Sequence, residues 1–140
     1  MKPLRIERVI VATPDADAAA AAFRRLFGLK DAATGGAAAA SAAGNAAEGA
    51  GNGAAARVLA ISRAEIAFVT PAAGTALADV LATSGEGMAA LRLEVADVDA
   101  AVSALEHAGI HFEVERSDGA RVVHVDPATA HGVRLSLVGR

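Results

Sequence analysis

The sequence predicts an α+β fold in which two βαβββ modules stand in tandem and form a curved mixed sheet around a cleft. Two observations carry this reading. Strand-like runs and helix signals follow the order strand, helix, three strands, and they do so twice. The second copy also repeats the first residue by residue, Arg8 with Ala90, Asp15 with Asp97 and Asp17 with Asp99, each at an offset of 82. A chain of 140 residues suits one domain, spanning 4–138, with module one at 4–71 and module two at 88–138.

Residues 4–12 read as a strand, because Ile6, Val9, Ile10 and Val11 crowd β-branched side chains into a short run. Thr13-Pro14-Asp15 signals a helix start, with Asp15 able to accept from free backbone N–H groups. Ala19, Ala22, Phe23 and Leu26 follow at helical spacing, and Gly28 stops the helix. Residues 31–56 are an Ala/Gly-rich low-complexity insertion, with 20 of 26 positions Ala or Gly, and read as a loop or a weak edge strand. Gly49, Gly51 and Gly53 lack the strand, the spacing and the Lys-Ser/Thr of a phosphate loop.

Residues 57–62 and 65–70 read as a hairpin around Arg63-Ala64, closed by Pro71. Leu77, Val80 and Leu81 give a short helix, Gly85-Glu86-Gly87 a turn, and 88–95 a strand. Asp97 opens another helix, with Val98, Ala101, Val102 and Leu105 on one face and Gly109 at its end. Residues 110–115, 121–126 and 133–138 complete the second module. Ile66-Ala67-Phe68-Val69 corresponds to Leu135-Ser136-Leu137-Val138. Two copies imply a pseudo-twofold domain whose half-open sheets enclose a cleft, a usual place for ligands.

Composition excludes several function classes. Hydrophobic residues make up 54%, largely Ala, while aromatics are 3%, so the core falls to Val, Leu and Ile. Thirteen basic and 16 acidic residues give a net charge of −3 with no basic stripe, which argues against nucleic acid. The absence of Cys rules out disulfides, thiolate metal sites and cysteine nucleophiles. No run is long enough to span a bilayer and no signal core opens the chain, so no membrane partner and a cytoplasmic location are expected.

The order βαβββ–βαβββ resembles the vicinal oxygen chelate superfamily of glyoxalases, bleomycin-resistance proteins and dioxygenases. Gly85-Glu86-Gly87-Met88-Ala89-Ala90-Leu91-Arg92-Leu93-Glu94-Val95 is similar to the Gly-Glu-Gly-Leu-His-His-Ile-Ala-Phe-Glu-Val stretch of methylmalonyl-CoA epimerases. Asp126-Pro127-Ala128-Thr129-Ala130-His131-Gly132-Val133 resembles their Pro-x-x-(Thr/Ser)-x-Gly-Val turn, and Phe27-Gly28-Leu29 a common end of their first helix. The resemblance covers nearly the whole chain outside 31–56. It implies four metal ligands, usually His, Gln or Glu, His and Glu, at Arg8, Ala67, Ala90 and Ser136. None of these is a normal ligand here, so no metal and no other cofactor are expected. The resemblance also implies a homodimer.

Arg8 puts a fixed positive charge where the resemblance places a ligand, able to grip a carboxylate or phosphate. Its structural alternative is a simple ion pair with Glu94 or Glu65. Strand alternation sets Arg92 and Glu94 on the face of Ala90, sets Arg134 beside Ser136, and groups His124 with Asp126. Arg8, Arg92, Arg134 and Ser136 are thus candidate ligand-binding residues, and His124 and Glu94 candidate acid–base groups. His124 alternatively packs as an aromatic ring does, and Glu94 alternatively serves structure. His107 and His111 are separated by Gly109 and do not share a helical face, His131 sits in a turn, and Asp15, Asp17, Asp97 and Asp99 are explained by helix capping. Ser41, Ser62, Ser84, Ser103 and Ser117 lack a nucleophile-elbow context, and no Ser-His-Asp arrangement is legible.

Three functions compete. The first is metal-independent binding of a small anionic organic molecule, a carboxylate or acyl thioester. The second is a metal-free isomerase, epimerase or lyase acting next to a carbonyl. The third is a structural dimer with a degenerate site.

Overall fold

A computed structural model describes residues 2–32, 55–117 and 119–139. Most of the low-complexity insertion lies outside the described residues. Strand β1 is Pro3–Ala12, α1 Ala16–Phe27, β2 Lys30–Asp31, β3 Ala55–Ile61, β4 Ala64–Thr70, α2 Ala76–Ser84 and β5 Gly87–Val95. They are followed by α3 at Val98–His107, β6 at Phe112–Ser117, β7 at Ala120–Val125, a 3-10 turn at Pro127–Thr129 and β8 at Leu135–Gly139. The fold is mixed α+β, and the βαβββ order occurs twice. The chain forms two compact units, a first unit of Arg8–Ala89 and a second of Met1–Glu7 with Ala90–Arg140.

In the first unit the strands are ordered β2-β3-β4-β1. β4 pairs parallel with β1 and antiparallel with β3, and the two-residue β2 pairs with β3 at Lys30↔Ala60. One sheet face lies under α1, where Ala16 and Ala20 allow close approach to Leu59 and Phe68. Phe23 tilts onto Phe68 with ring centroids 4.8 Å apart, so the scarce aromatics anchor this core, which the composition had assigned to aliphatic residues alone. Helix α1 begins at Asp15, whose side chain accepts from Ala18 N, and ends at Gly28 in the left-handed conformation at φ +65. Ala16 N also donates to Thr70 Oγ1 at 2.9 Å, tying the helix start to the end of β4.

The hairpin turn is Ser62-Arg63, one residue earlier than the sequence suggests. Register Ile61↔Ala64 closes the ladder there, and Ser62 takes the positive φ of 52 that such turns usually assign to Gly.

In the second unit the order is β5-β8-β7-β6, the same as in the first when β5 stands for β1. β8 pairs parallel with β5 and antiparallel with β7, and β7 antiparallel with β6. Leu93, Val95, Val123, Val125, Leu135, Leu137 and Phe112 turn to the face occupied by Val98, Ala101 and Leu105 of α3. This core is aliphatic save for Phe112, close to the sequence expectation. The last three strands start at 112, 120 and 135 instead of 110, 121 and 133. Ile110 is consumed in closing α3, its N–H donating to Leu105 O at 3.0 Å, and His111 O accepts from Asp126 N at 2.8 Å, bracing the base of the hairpin.

The Asp-x-Asp pairs do more than cap. Asp97 accepts from Asp99 N and Ala100 N, as capping requires. The second Asp of each pair instead holds an arginine of a neighbouring strand: Arg57 Nε reaches Asp17 Oδ1 at 2.5 Å, and Arg121 NH1 reaches Asp99 Oδ1 at 2.8 Å.

A Cβ at Gly139 would lie 2.0 Å from Val98 Cγ2, so β8 approaches α3 closely here and an added methyl would force the Val98 side chain to move. Gly139→Ala is expected to lower stability in urea unfolding by about 1–3 kcal/mol, with Val98→Ala in the same chain recovering part of the loss. The hydrogen bond and charge of Arg121 hold the Asp99 carboxyl below the ordinary carboxylate range. A lowered folded pKa stabilises above the unfolded value of about 3.9 and ceases to do so as pH falls through the folded value. The contact is exposed and solvent-screened, so a small melting-temperature gap between wild type and Asp99→Asn should be present at neutral pH and narrow under acid, in scans taken from pH 7 down to about 3.

Candidate functional site

Strand pairing gives each sheet a helix-covered face and an opposite face. In the first unit the opposite face is apolar: Ile10, Ala12, Val58, Ala67 and Val69 are buried there. Its polar feature is Arg8, which lies opposite Glu65 in the β1–β4 register. Arg8 Nε and NH2 both donate to Glu65 Oε2, at 3.1 and 2.6 Å. Of the two partners considered for Arg8, Glu65 is bonded to it, on the same side of the pleat. Beyond this face, at the end of β1, buried Thr13 donates through Oγ1 to Glu86 Oε2 across a short hydrogen bond.

The second unit is different. Arg92↔Ser136 on β5–β8 and Ser136↔His124 on β7–β8 form one continuous row, with Ser136 in its middle. Arg92 is buried, its Nε 4.0 Å from Glu7 Oε2, and Glu7 is buried as well. Glu94 pairs with Arg5, Nε to Oε2 at 2.7 Å, in an ion pair whose alignment falls short of a hydrogen bond. Arg134 is half-buried just before β8 and passes its carbonyl to Leu91 N at 3.0 Å, placing it next to Ala90.

His124 is held at both ring nitrogens. Nδ1 lies 3.1 Å from Ser136 Oγ, and Nε2 lies 3.0 Å from Glu115 Oε2. An ionised Glu115 can only accept, so Nε2 carries the proton it shares. In the neutral ring Nδ1 is then the acceptor, and the Ser136 hydroxyl donates to it. The Glu115 side chain is 40% exposed and the His124 side chain 13%, while Ser136 is buried.

Of the residues singled out from sequence, Arg92, Glu94, Arg134, Ser136 and His124 thus lie in the second unit, while Arg8 belongs to the first and is engaged by Glu65. Asp126 is not a partner of His124: its carboxylate caps the 3-10 turn through Ala128 N at 2.9 Å. His107, His111 and His131 are exposed, the last in a turn at φ +56. Glu115 was missed. The Asp118-Gly119 dipeptide is a two-residue turn signal, and a ladder counted back from it sets Glu113 opposite His124 and Glu115 one row away.

A family model of the Glyoxalase/Bleomycin resistance protein/Dioxygenase superfamily matches residues 7–125, and the chain belongs to that superfamily. Among solved structures it is similar to a variant of Streptomyces coelicolor methylmalonyl-CoA epimerase in complex with 2-nitronate-propionyl-CoA, at 26% identity and a TM-score of 0.77, covering 99% of this chain and 98% of that one. Methylmalonyl-CoA epimerase from Mycobacterium tuberculosis shares the fold at 23% identity and a TM-score of 0.78, covering 98% and 88%. No curated protein matches the chain.

The donor set at the four positions where the resemblance places metal ligands is a guanidinium, two methyl groups and a hydroxyl, at Arg8, Ala67, Ala90 and Ser136. Among the described residues, no three His, Cys, Asp or Glu side chains are grouped so as to hold an ion. Arg8, Ala67, Ala90 and Ser136 do not by themselves make a donor set that fits a metal ion. Nor is any helix among the described residues long and apolar enough to cross a membrane.

Arg92 and Glu7 are both buried with Nε and Oε2 4.0 Å apart, so removing the guanidinium withdraws charge compensation from a buried carboxylate. Arg92→Ala is expected to lose about 3–5 kcal/mol in urea unfolding. Glu7→Gln added to it should restore a measurable part, and a double variant no more stable than Arg92→Ala would contradict the pairing.

Proposed function

We propose that the chain binds a small anionic organic molecule, a carboxylate or an acyl thioester, without a metal, on the polar face of the second unit. The observation that carries this reading is the row Arg92–Ser136–His124, with Arg134 on the same face. Two guanidiniums supply donors and positive charge for a carboxylate or a polarised carbonyl, and the Ser136 hydroxyl would turn from His124 to the ligand on binding. The acyl-CoA ligand of the Streptomyces coelicolor relative supports the thioester class. The first unit supports nothing comparable, since its matching face is apolar and its arginine is held by Glu65. By the same resemblance, the binding form is a homodimer.

A second reading, a metal-free isomerase or epimerase acting next to a carbonyl, draws on His124. Its ring is fixed by hydrogen bonds at both nitrogens and stands beside the same row, where it would move a proton while an arginine stabilises an enolate. Glu94, the other candidate, is engaged by Arg5, Nε to Oε2 at 2.7 Å.

Calorimetric titration of chelator-treated protein with short-chain acyl-CoA thioesters and dicarboxylates tests the binding reading. Saturable binding that survives chelation and weakens at least about tenfold in Arg134→Ala is expected. Binding that appears only on adding a divalent metal would overturn it. Incorporation of solvent deuterium next to the thioester carbonyl, lost in His124→Gln, would select the second reading.

A further inference from the structure

We infer that Ser136 is a nucleophile, activated by His124 and positioned by Glu115, and that the second unit can hydrolyse small acyl thioesters or activated esters. Glu115 accepts from His124 Nε2 at 3.0 Å, which leaves Nδ1 to take the Ser136 hydroxyl proton at 3.1 Å. This is the carboxylate–imidazole–hydroxyl arrangement of nucleophilic acyl transfer, recognised by geometry and role and not by chain order. It differs from the usual form in that Nδ1, not Nε2, faces the serine. The row supplies the remaining requirement as well. Arg92 stands directly opposite Ser136, so a guanidinium is at hand for the negative charge that develops on the acyl oxygen.

The step balances without an added cofactor. Ser136 Oγ bonds to the acyl carbon while its proton passes to His124 Nδ1. The carbon–sulfur bond then breaks, and the sulfur leaves with that proton as a thiol. Water gives a proton to His124 and attacks the acyl-serine ester. The carboxylic acid departs and the proton returns to Ser136. Thioester and water become acid and thiol. Ser136 is only 4% exposed, which restricts the reaction to slender acyl groups. Glu115 is a positioning residue, acting through His124.

This builds on the proposed acyl-ligand site, but its test does not require thioester binding, so the two can fail separately. The probe is methanesulfonyl fluoride, a small reagent that sulfonylates activated serines. Trypsin releases Leu135–Arg140, in which Ser136 is the sole hydroxyl side chain, so mass spectrometry reads the adduct without ambiguity. The wild-type peptide is expected to gain one methanesulfonyl group. The rate should fall at least about 100-fold in His124→Gln, in keeping with general-base catalysis. It should also fall in Glu115→Gln and recover partly in Glu115→Asp, a pattern that simple loss of packing does not produce. An unmodified peptide from folded wild-type protein overturns the inference, as does labelling at the wild-type rate in both His124→Gln and Glu115→Gln.

Discussion

Strand pleating is the constraint on which the rest of this protein depends. Each unit lays one sheet face against a capped helix, and every alternate residue is thereby sent to the other side. Leu93, Leu135, Leu137 and Val123 secure the helix face of the second unit, which obliges Arg92, Glu94, Ser136 and His124 to share the opposite one. A one-residue slip in any of these strands would exchange core for polar row.

The two modules share a topology and differ in chemistry. Positions 8, 10 and 12 of β1 correspond to 90, 92 and 94 of β5, so Ile10 and Ala12 stand where the second module has Arg92 and Glu94. Ala67 matches Ser136, and Val58, opposite Ala67, matches His124, opposite Ser136. Among the described residues, one copy has an apolar face that carries the Arg8–Glu65 pair, while the other carries Arg92, Ser136 and His124 in register. The proposed ligand site follows this difference and lies on the second copy.

Much of the fold was legible in the sequence because its punctuation is local. Asp15 and Asp97 cap, Gly28 and Gly109 take positive φ, and the repeat at an offset of 82 sets the order of the elements. What failed was register. Ser62 adopts a left-handed turn conformation that nothing in its neighbours announces, and Ile110 is drawn into the end of α3 although its residue type favours a strand. The site suffered for the same reason. With β6 placed two residues early, Glu115 had no defined neighbour, and the serine–histidine–carboxylate chain stayed hidden although each of its members was in plain view. For Arg8 alternation left Glu65 and Glu94 both open as structural partners, and it is the β1–β4 register that sets Glu65 opposite it. The segment 33–54 lies outside the described residues, and its Ala and Gly carry no periodicity from which a strand could be argued.

The most direct test of the account is residue-resolved NMR of the metal-free protein during titration with a short-chain acyl-CoA thioester. The account predicts saturable shifts in the His124 ring and in the Ser136 and Arg92 backbone amides, with the Arg8–Glu65 pair and the apolar face around Ile10 left in place. Shifts centred on Arg8 and Glu65, or none until a divalent metal is added, would contradict it.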